Sequence, residues 1–131
     1  MIHILISPIR SVIREIPDSD AWYILCFSAR RELEPSPNAR AFYFLDTTEE
    51  NNPHRFKPIH AELIYEFFRS IPDGADLFVC CDAGESRSAA IAAALKVAQG
   101  ESDAEIWNSP EYHPNPLVYR ICRETFVGPG I

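Results

Sequence analysis

Leu77-Phe78-Val79-Cys80-Cys81-Asp82-Ala83-Gly84-Glu85-Ser86-Arg87-Ser88 runs from an apolar stretch through a short polar loop into an alanine-rich segment. The apolar run Asp76–Cys80 predicts a buried strand, and Ser88–Gln99 predicts a helix closed by Gly100. A loop between a strand end and a helix start turns backbone N–H groups into a concave nest, and the helix dipole adds partial positive charge there. Such a nest fits phosphate or sulfate. Arg87 returns to the same place, and its planar fork can hold two oxygens at once. Cys81 opens the loop and faces the anion. The field that binds an oxyanion also stabilises a thiolate, and can lower a cysteine pKa from ~8.5 to between about 3.5 and 7.5. One loop therefore combines a nucleophile with an anion cradle.

From Cys81 through Ser88, with Ala83, Gly84 and Ser86 in place, the segment resembles the signature loop of the cysteine-dependent protein tyrosine and dual-specificity phosphatases, H-C-x-x-G-x-x-R-[ST], in its dual-specificity form H-C-x-A-G-x-S-R-S. The resemblance implies Cys81 as nucleophile forming a cysteinyl-phosphate. It implies Arg87 as the group that binds the phosphoryl and stabilises its transition state, and Ser88 as a hydrogen-bond partner that helps the thiolate leave. The loop residues Cys81, Asp82, Ala83, Gly84, Glu85, Ser86 and Arg87 would form the phosphate cradle. In that family an aspartate on a loop upstream of the cysteine is the general acid. Asp46, at the end of an apolar run and the start of a polar loop, holds the matching place, with Glu49 and Glu50 as rivals. Tyr112-His113-Pro114-Asn115-Pro116-Leu117-Val118-Tyr119-Arg120 is similar to the tail of small bacterial and phage phosphatase-like proteins of this group. The family needs no metal and no cofactor.

The sequence departs from the family loop in two ways. Cys80 stands where the family has histidine, which predicts a higher Cys81 pKa or a looser loop. Asp82 and Glu85 place two carboxylates beside a dianion site. If they point inward they weaken binding; if outward they only select substrates. Strand alternation puts Cys80 into the sheet packing, with a redox partnership to Cys81 as the alternative. Cys26 and Cys122 read as core thiols, His54 as a solvated loop residue and His60 as part of its helix.

Around this segment, short apolar runs alternate with helical patterns, which predicts an α/β layer fold. Ile2–Ile6, Ala21–Phe27 and Ala41–Leu45 are the other strand candidates. Ser7-Pro8 predicts a short helix over Pro8–Ile16 with Ile9, Val12, Ile13 and Ile16 on one face, followed by a turn at Pro17-Asp18-Ser19-Asp20. Arg30–Arg40 reads as a surface loop. Pro58 opens a helix carrying Ile59, Leu63, Ile64, Phe67, Phe68 and Ile71, stopped by Pro72-Asp73-Gly74. Ser102-Asp103-Ala104-Glu105 fits a capping box. Asn115-Pro116 predicts the N-terminus of a last helix running to about Phe126, before a frayed end at Gly128-Pro129-Gly130. The expected fold is α/β and protein tyrosine phosphatase-like. It has a mostly parallel sheet of four to five strands with helices on both faces, as one domain over residues 1–131.

The 131 residues carry a formal net charge of −7, with 19 acidic and 12 basic side chains. That balance argues against nucleic acid or an anionic membrane as partner. It leaves room for a local basic pocket. Four cysteines in a chain of this length fall short of a disulfide scaffold, and the start does not read as a signal peptide. The expected location is a reducing cytoplasm. The expected function is phosphomonoester hydrolysis on a phosphorylated protein or small ester, or binding of phosphorylated partners without turnover.

Overall fold

The computed structural model describes residues 1–128, so the expected frayed end lies outside the described residues from Pro129 onward. Four apolar runs become strands: β1 His3–Pro8, β2 Trp22–Phe27, β3 Ala39–Tyr43 and β4 Asp76–Cys81. All pairings are parallel, in the order β1-β4-β2-β3. Parallel strands end on the same side of the sheet, so the loops after β1, β2 and β4 gather at one edge.

Alternation sends Ile4, Ile24, Cys26, Phe42, Leu77, Val79 and Cys81 to one face, and Tyr23, Leu25, Phe27 and Cys80 to the other. The first face carries the four α-helices: α1 Pro58–Ser70, α2 Arg87–Ala98, α3 Ala104–Asn108 and α4 Pro116–Phe126. The second is covered by 3-10 turns at Ile9–Ser11 and Ile16–Asp18, through Ile9, Val12 and Ile16. Helical elements thus cover both faces, unequally. Helix α2 lies between the sheet and α4, and every residue from Ala89 to Leu95 is fully buried. Its alanines let both neighbours approach closely. At its far end the Gln99 amide clamps the start of the sheet: Oε1 accepts from Ile2 N at 3.0 Å and Nε2 donates to Ile2 O at 2.7 Å.

Several expectations are corrected. No α-helix spans Pro8–Ile16, because Pro8 ends β1 and Ser7 Oγ bonds to Pro8 O instead of capping. Pro17 has no N–H to continue a helix, so a second short turn begins at Ile16. Apolar residues at i, i+3 and i+7 reach the same face from two 3-10 turns as from one helix. Strand β3 begins and ends two residues earlier than expected, because it is an edge strand paired only with β2. Its ladder stops at the Phe27–Tyr43 pair, where β2 itself stops. Asp103, not Ser102, precedes α3; Ser102 Oγ instead accepts from Ala104 N. In α1 the buried face is Ala61, Ile64, Phe67 and Phe68, while Ile59 and Leu63 lie exposed off that stripe.

His60 anchors the start of α1. Its Nδ1 accepts from Lys57 N at 2.9 Å, and its ring packs on Phe56 and Phe44. Burial, aided by the Lys57 charge, holds His60 below its ordinary value. The unfolded chain therefore takes up this proton at higher pH than the folded one. The contribution of neutral His60 to stability is complete above the unfolded value and is lost as pH falls through the folded one. The urea midpoint should drop between about pH 7.5 and pH 5, and the drop should be smaller in His60→Gln, which keeps an acceptor that does not titrate. Equal drops would exclude His60 as the source.

Candidate active site

Strand β4 ends at Cys81 opposite Pro8, which has no N–H to continue the ladder. The chain then turns through Asp82–Ser86 into α2. Gly84 makes this turn possible. Its φ is +68°, and a Cβ there would lie 2.7 Å from Pro8 N and 2.9 Å from Ser7 C. The loop therefore rests directly on the backbone at the end of β1. Among the described residues, no amide from Asp82 to Ser86 donates to a backbone carbonyl. The Glu85 carbonyl accepts from His113 N at 2.8 Å, and the Ser86 carbonyl from Ala90 N at 3.0 Å and Asn115 N at 3.2 Å. Backbone N–H groups left without carbonyl partners at the start of a helix can receive an anion.

Cys81 lies at the base of the nest, 3% exposed, with Sγ 3.1 Å from Ser88 Oγ. Burial works against its thiolate. The Ser88 hydroxyl and the backbone N–H groups of Ser88, Gly84 and Glu85 outweigh it and hold the thiol below its usual value. The missing histidine thus does not leave Cys81 with a raised pKa. Cys80 points to the opposite face, fully buried among Tyr23, Leu25 and Phe27, and its thiol is pushed up to about 12 by burial and by Cys81. Of its two expected roles, sheet packing is the one the fold places. Cys26 and Cys122 are fully buried core thiols, pushed well up by burial.

Arg87 is the first residue of α2 and only 4% exposed. Nη1 is fixed by Phe44 O at 2.9 Å and Ser28 Oγ at 3.0 Å, and the guanidinium sits 5.9 Å from the Phe44 ring centre. The other edge is nearly unused. Nη2 meets only the Asp82 carboxylate at 3.4 Å, and Nε is buried with no partner. A buried donor without an acceptor is costly, and an oxyanion on the Nε–Nη2 edge would satisfy it. Asp82 is the inward carboxylate of the loop, although its side chain is 72% exposed. Glu85 is exposed, with no side-chain partner among the described residues.

The structure brings Asp46 to the loop. Ser86 Oγ donates to Asp46 Oδ1 at 2.9 Å, and Asn115 Nδ2 donates to the same oxygen at 2.7 Å. Its rivals do not come: Glu50 pairs with Arg120, and Glu49 is exposed on the loop beyond. A groove of about 480 Å³ lies beside Asp46 and Ser86, lined also by Trp107, Tyr112 and His113. Ser28, the Phe44 carbonyl and the Asn115 amide escaped the sequence reading. Only Asn115 carried a signal there, as a helix cap. Among the described residues, no cluster of three or more His, Cys, Asp or Glu side chains is placed to hold a metal ion. No helix among them is long and apolar enough to cross a membrane.

A parallel four-stranded sheet with this strand–loop–helix at its edge is the protein tyrosine phosphatase-like fold. The chain is similar in structure to PTPMT1, crystallised in complex with PI(5)P. The TM-score is 0.60 at 15% identity, covering 95% of this chain and 90% of that one. No protein-family model and no curated protein sequence matches the chain.

The donors around Cys81 generate a direct test. Ser88→Ala removes one donor to the thiolate, so the Cys81 pKa rises and fewer molecules are ionised at neutral pH. The pH profile of alkylation by iodoacetamide should move to higher pH in Ser88→Ala. An unchanged profile would show that the backbone amides alone set the thiolate.

Proposed function

We propose that the chain is a phosphomonoester hydrolase of the protein tyrosine or dual-specificity type, working through a cysteinyl-phosphate. The observation that carries this reading is the Arg87 guanidinium, buried with its Nε–Nη2 edge open beside the loop that Cys81 begins and whose amides donate to no backbone carbonyl among the described residues. A phosphoryl group on that edge and those amides meets a thiolate held ready by Ser88. PI(5)P in the PTPMT1 structure is a phosphoinositide, which supports a phosphomonoester ligand here. The net charge of −7 favours a phosphorylated protein or small ester over a lipid in an anionic membrane. The chemistry needs a reduced thiol, so the cytoplasm is the compartment it suits.

In the first step Cys81 Sγ attacks phosphorus while the bond to the leaving oxygen breaks, and protonated Asp46 gives that oxygen its proton. Arg87 and the loop amides hold the three equatorial oxygens. In the second step the Asp46 carboxylate takes a proton from water as the water oxygen attacks phosphorus. Cys81 leaves as thiolate, with Ser88 donating to it. Asp46 ends protonated and inorganic phosphate departs, so protons and charges balance over the cycle.

Wild type should hydrolyse para-nitrophenyl phosphate, and acid quench of a phosphotyrosine substrate should trap phosphate on Cys81. Cys81→Ser should do neither. A second reading, favoured by Cys80 standing where the family has histidine, is a protein that binds phosphorylated partners without turnover. Tight phosphopeptide binding with no trapped intermediate would establish that one instead.

The Asp82–Arg87 contact carries a further prediction. Asp82→Asn frees Nη2 and removes a like charge from the substrate. It should lower KM for para-nitrophenyl phosphate by up to about fivefold, the range open to an exposed pair, with little change in kcat. A raised KM would mean that Asp82 supports the loop instead of competing with substrate.

A further inference from the structure

We infer that Trp107 is a specificity-determining residue: its braced indole walls the groove into which the leaving group projects, and it selects esters that carry flat apolar surface beyond the atoms bonded to phosphate. The inference rests on the hydrolase reading and names the kind of ester that reading favours.

The direction of the leaving group follows from the site. In an in-line displacement the attacking atom, phosphorus and leaving oxygen lie roughly on one axis. Cys81 is at the base of the nest, so the leaving oxygen points out of it. Asp46, the proposed acid, is held at the loop by Ser86 Oγ at 2.9 Å. The leaving group therefore emerges beside Asp46 and Ser86. Both belong to the wall of the groove of about 480 Å³, which Trp107, Tyr112, His113 and Pro116 continue. A cavity that takes one benzene measures about 150 Å³, so the groove has room past a first ring. Among the described residues no lysine or arginine lines it, so a second phosphate would find no cation there.

Trp107 is 42% exposed on the five-residue helix α3, yet it is held firmly. Nε1 donates to Asp103 Oδ2 at 2.9 Å, and the ring meets Tyr119 edge to face with centres 4.9 Å apart. Tyr119 is fixed in its turn. Its hydroxyl donates to the same Asp103 oxygen at 2.6 Å and accepts from Arg123 Nη1 at 2.8 Å. One carboxylate oxygen thus ties the indole of α3 to the tyrosine of α4. The only polar atom of the Trp107 side chain is used in this brace, so the ring has apolar surface alone to offer. A side chain ordered in advance loses little freedom when a ligand covers it. Asp103, Tyr119 and Arg123 do not line the groove; they shape its wall through the indole.

The test compares phenyl phosphate with naphthyl phosphate, whose leaving groups are of similar basicity while the second adds a fused ring. Wild type should show the lower KM for naphthyl phosphate. Trp107→Ala should raise that KM by about three- to tenfold, the range open to one aromatic pair, with kcat nearly unchanged and phenyl phosphate affected far less. Trp107→Phe, which keeps a ring without the Nε1 donor, should keep most of the preference. Inorganic phosphate fills the nest alone and should inhibit wild type and Trp107→Ala with the same Ki. An unchanged preference in Trp107→Ala, or equal rises in both KM values and in the phosphate Ki, overturns the inference. If the thermal midpoint of Trp107→Ala falls sharply, Trp107→Leu, which covers Tyr119 without a flat ring, is read in the same way. Two phosphopeptides that differ only in Phe or Ser beside the phosphorylated residue separate the sources of the apolar surface. A KM rise on the Phe peptide supports a protein substrate, a rise confined to naphthyl phosphate supports a small ester, and a rise on neither overturns the inference. If wild type hydrolyses no ester, the hydrolase reading fails on its own. Calorimetric binding of naphthylphosphonate and methylphosphonate then decides: Trp107→Ala should weaken only the first. Equal affinities in wild type, or binding of neither, overturns the assignment.

Discussion

A guanidinium that cannot lose its charge is buried at the sheet edge, and much of the site is arranged to make that tolerable. Taking an ion out of water costs several kcal/mol unless its donors are met. For Arg87 the last residues of two runs meet one edge, with Ser28 just past β2 and the Phe44 carbonyl just past β3, while the Phe44 ring lies against its plane. Both groups are brought together by the parallel register of β2 and β3, which ends at Phe27 and Tyr43. Phe44 is held in turn by Phe56 and His60 at the start of α1. The register of an edge strand and the cap of a helix thus converge on how one arginine presents its other edge. What remains open on that edge suits an oxyanion.

The thiolate and the arginine are placed by different parts of the chain. Cys81 is set by the last residue of β4 and by backbone amides, Arg87 by the first turn of α2. Helix α2 is seated so tightly, with alanine where larger residues would keep its neighbours apart, that its N-terminus has little freedom to move. The clamp from Gln99 onto Ile2 fixes its other end. The buried helix and the strand beside it act as a rigid frame, and the short loop between them spans a fixed gap.

The anion loop was readable in the sequence because strand, nest and helix follow one another without interruption, and each step has a local physical cause. Asp46 was readable as a polar residue where an apolar run stops. The second role of Asn115 was not, because a helix cap is a local interaction while its bond to Asp46 joins segments far apart in the chain. Ser28 and the Phe44 carbonyl are invisible for the same reason, and a backbone oxygen leaves no trace in side-chain chemistry. The N-terminal 3-10 turns were misread as a helix because the apolar spacing satisfies both. Cys80 was readable through alternation alone: period two places it on the face away from Cys81. A backbone similar to that of PTPMT1 at 15% identity shows how few side chains such a frame requires.

Gly84 leaves no space for even one carbon between the anion loop and the end of β1. The inner wall of the nest is therefore peptide backbone, which no point substitution can recolour. The side chains of Ala83 and Glu85 face solvent around its mouth, and Asp82 reaches in to Arg87 from an exposed position. Substitution at those three positions changes the charge around the mouth while the backbone that lines the nest stays the same. The character of the rim and that of the inner wall are thus uncoupled by a single missing side chain.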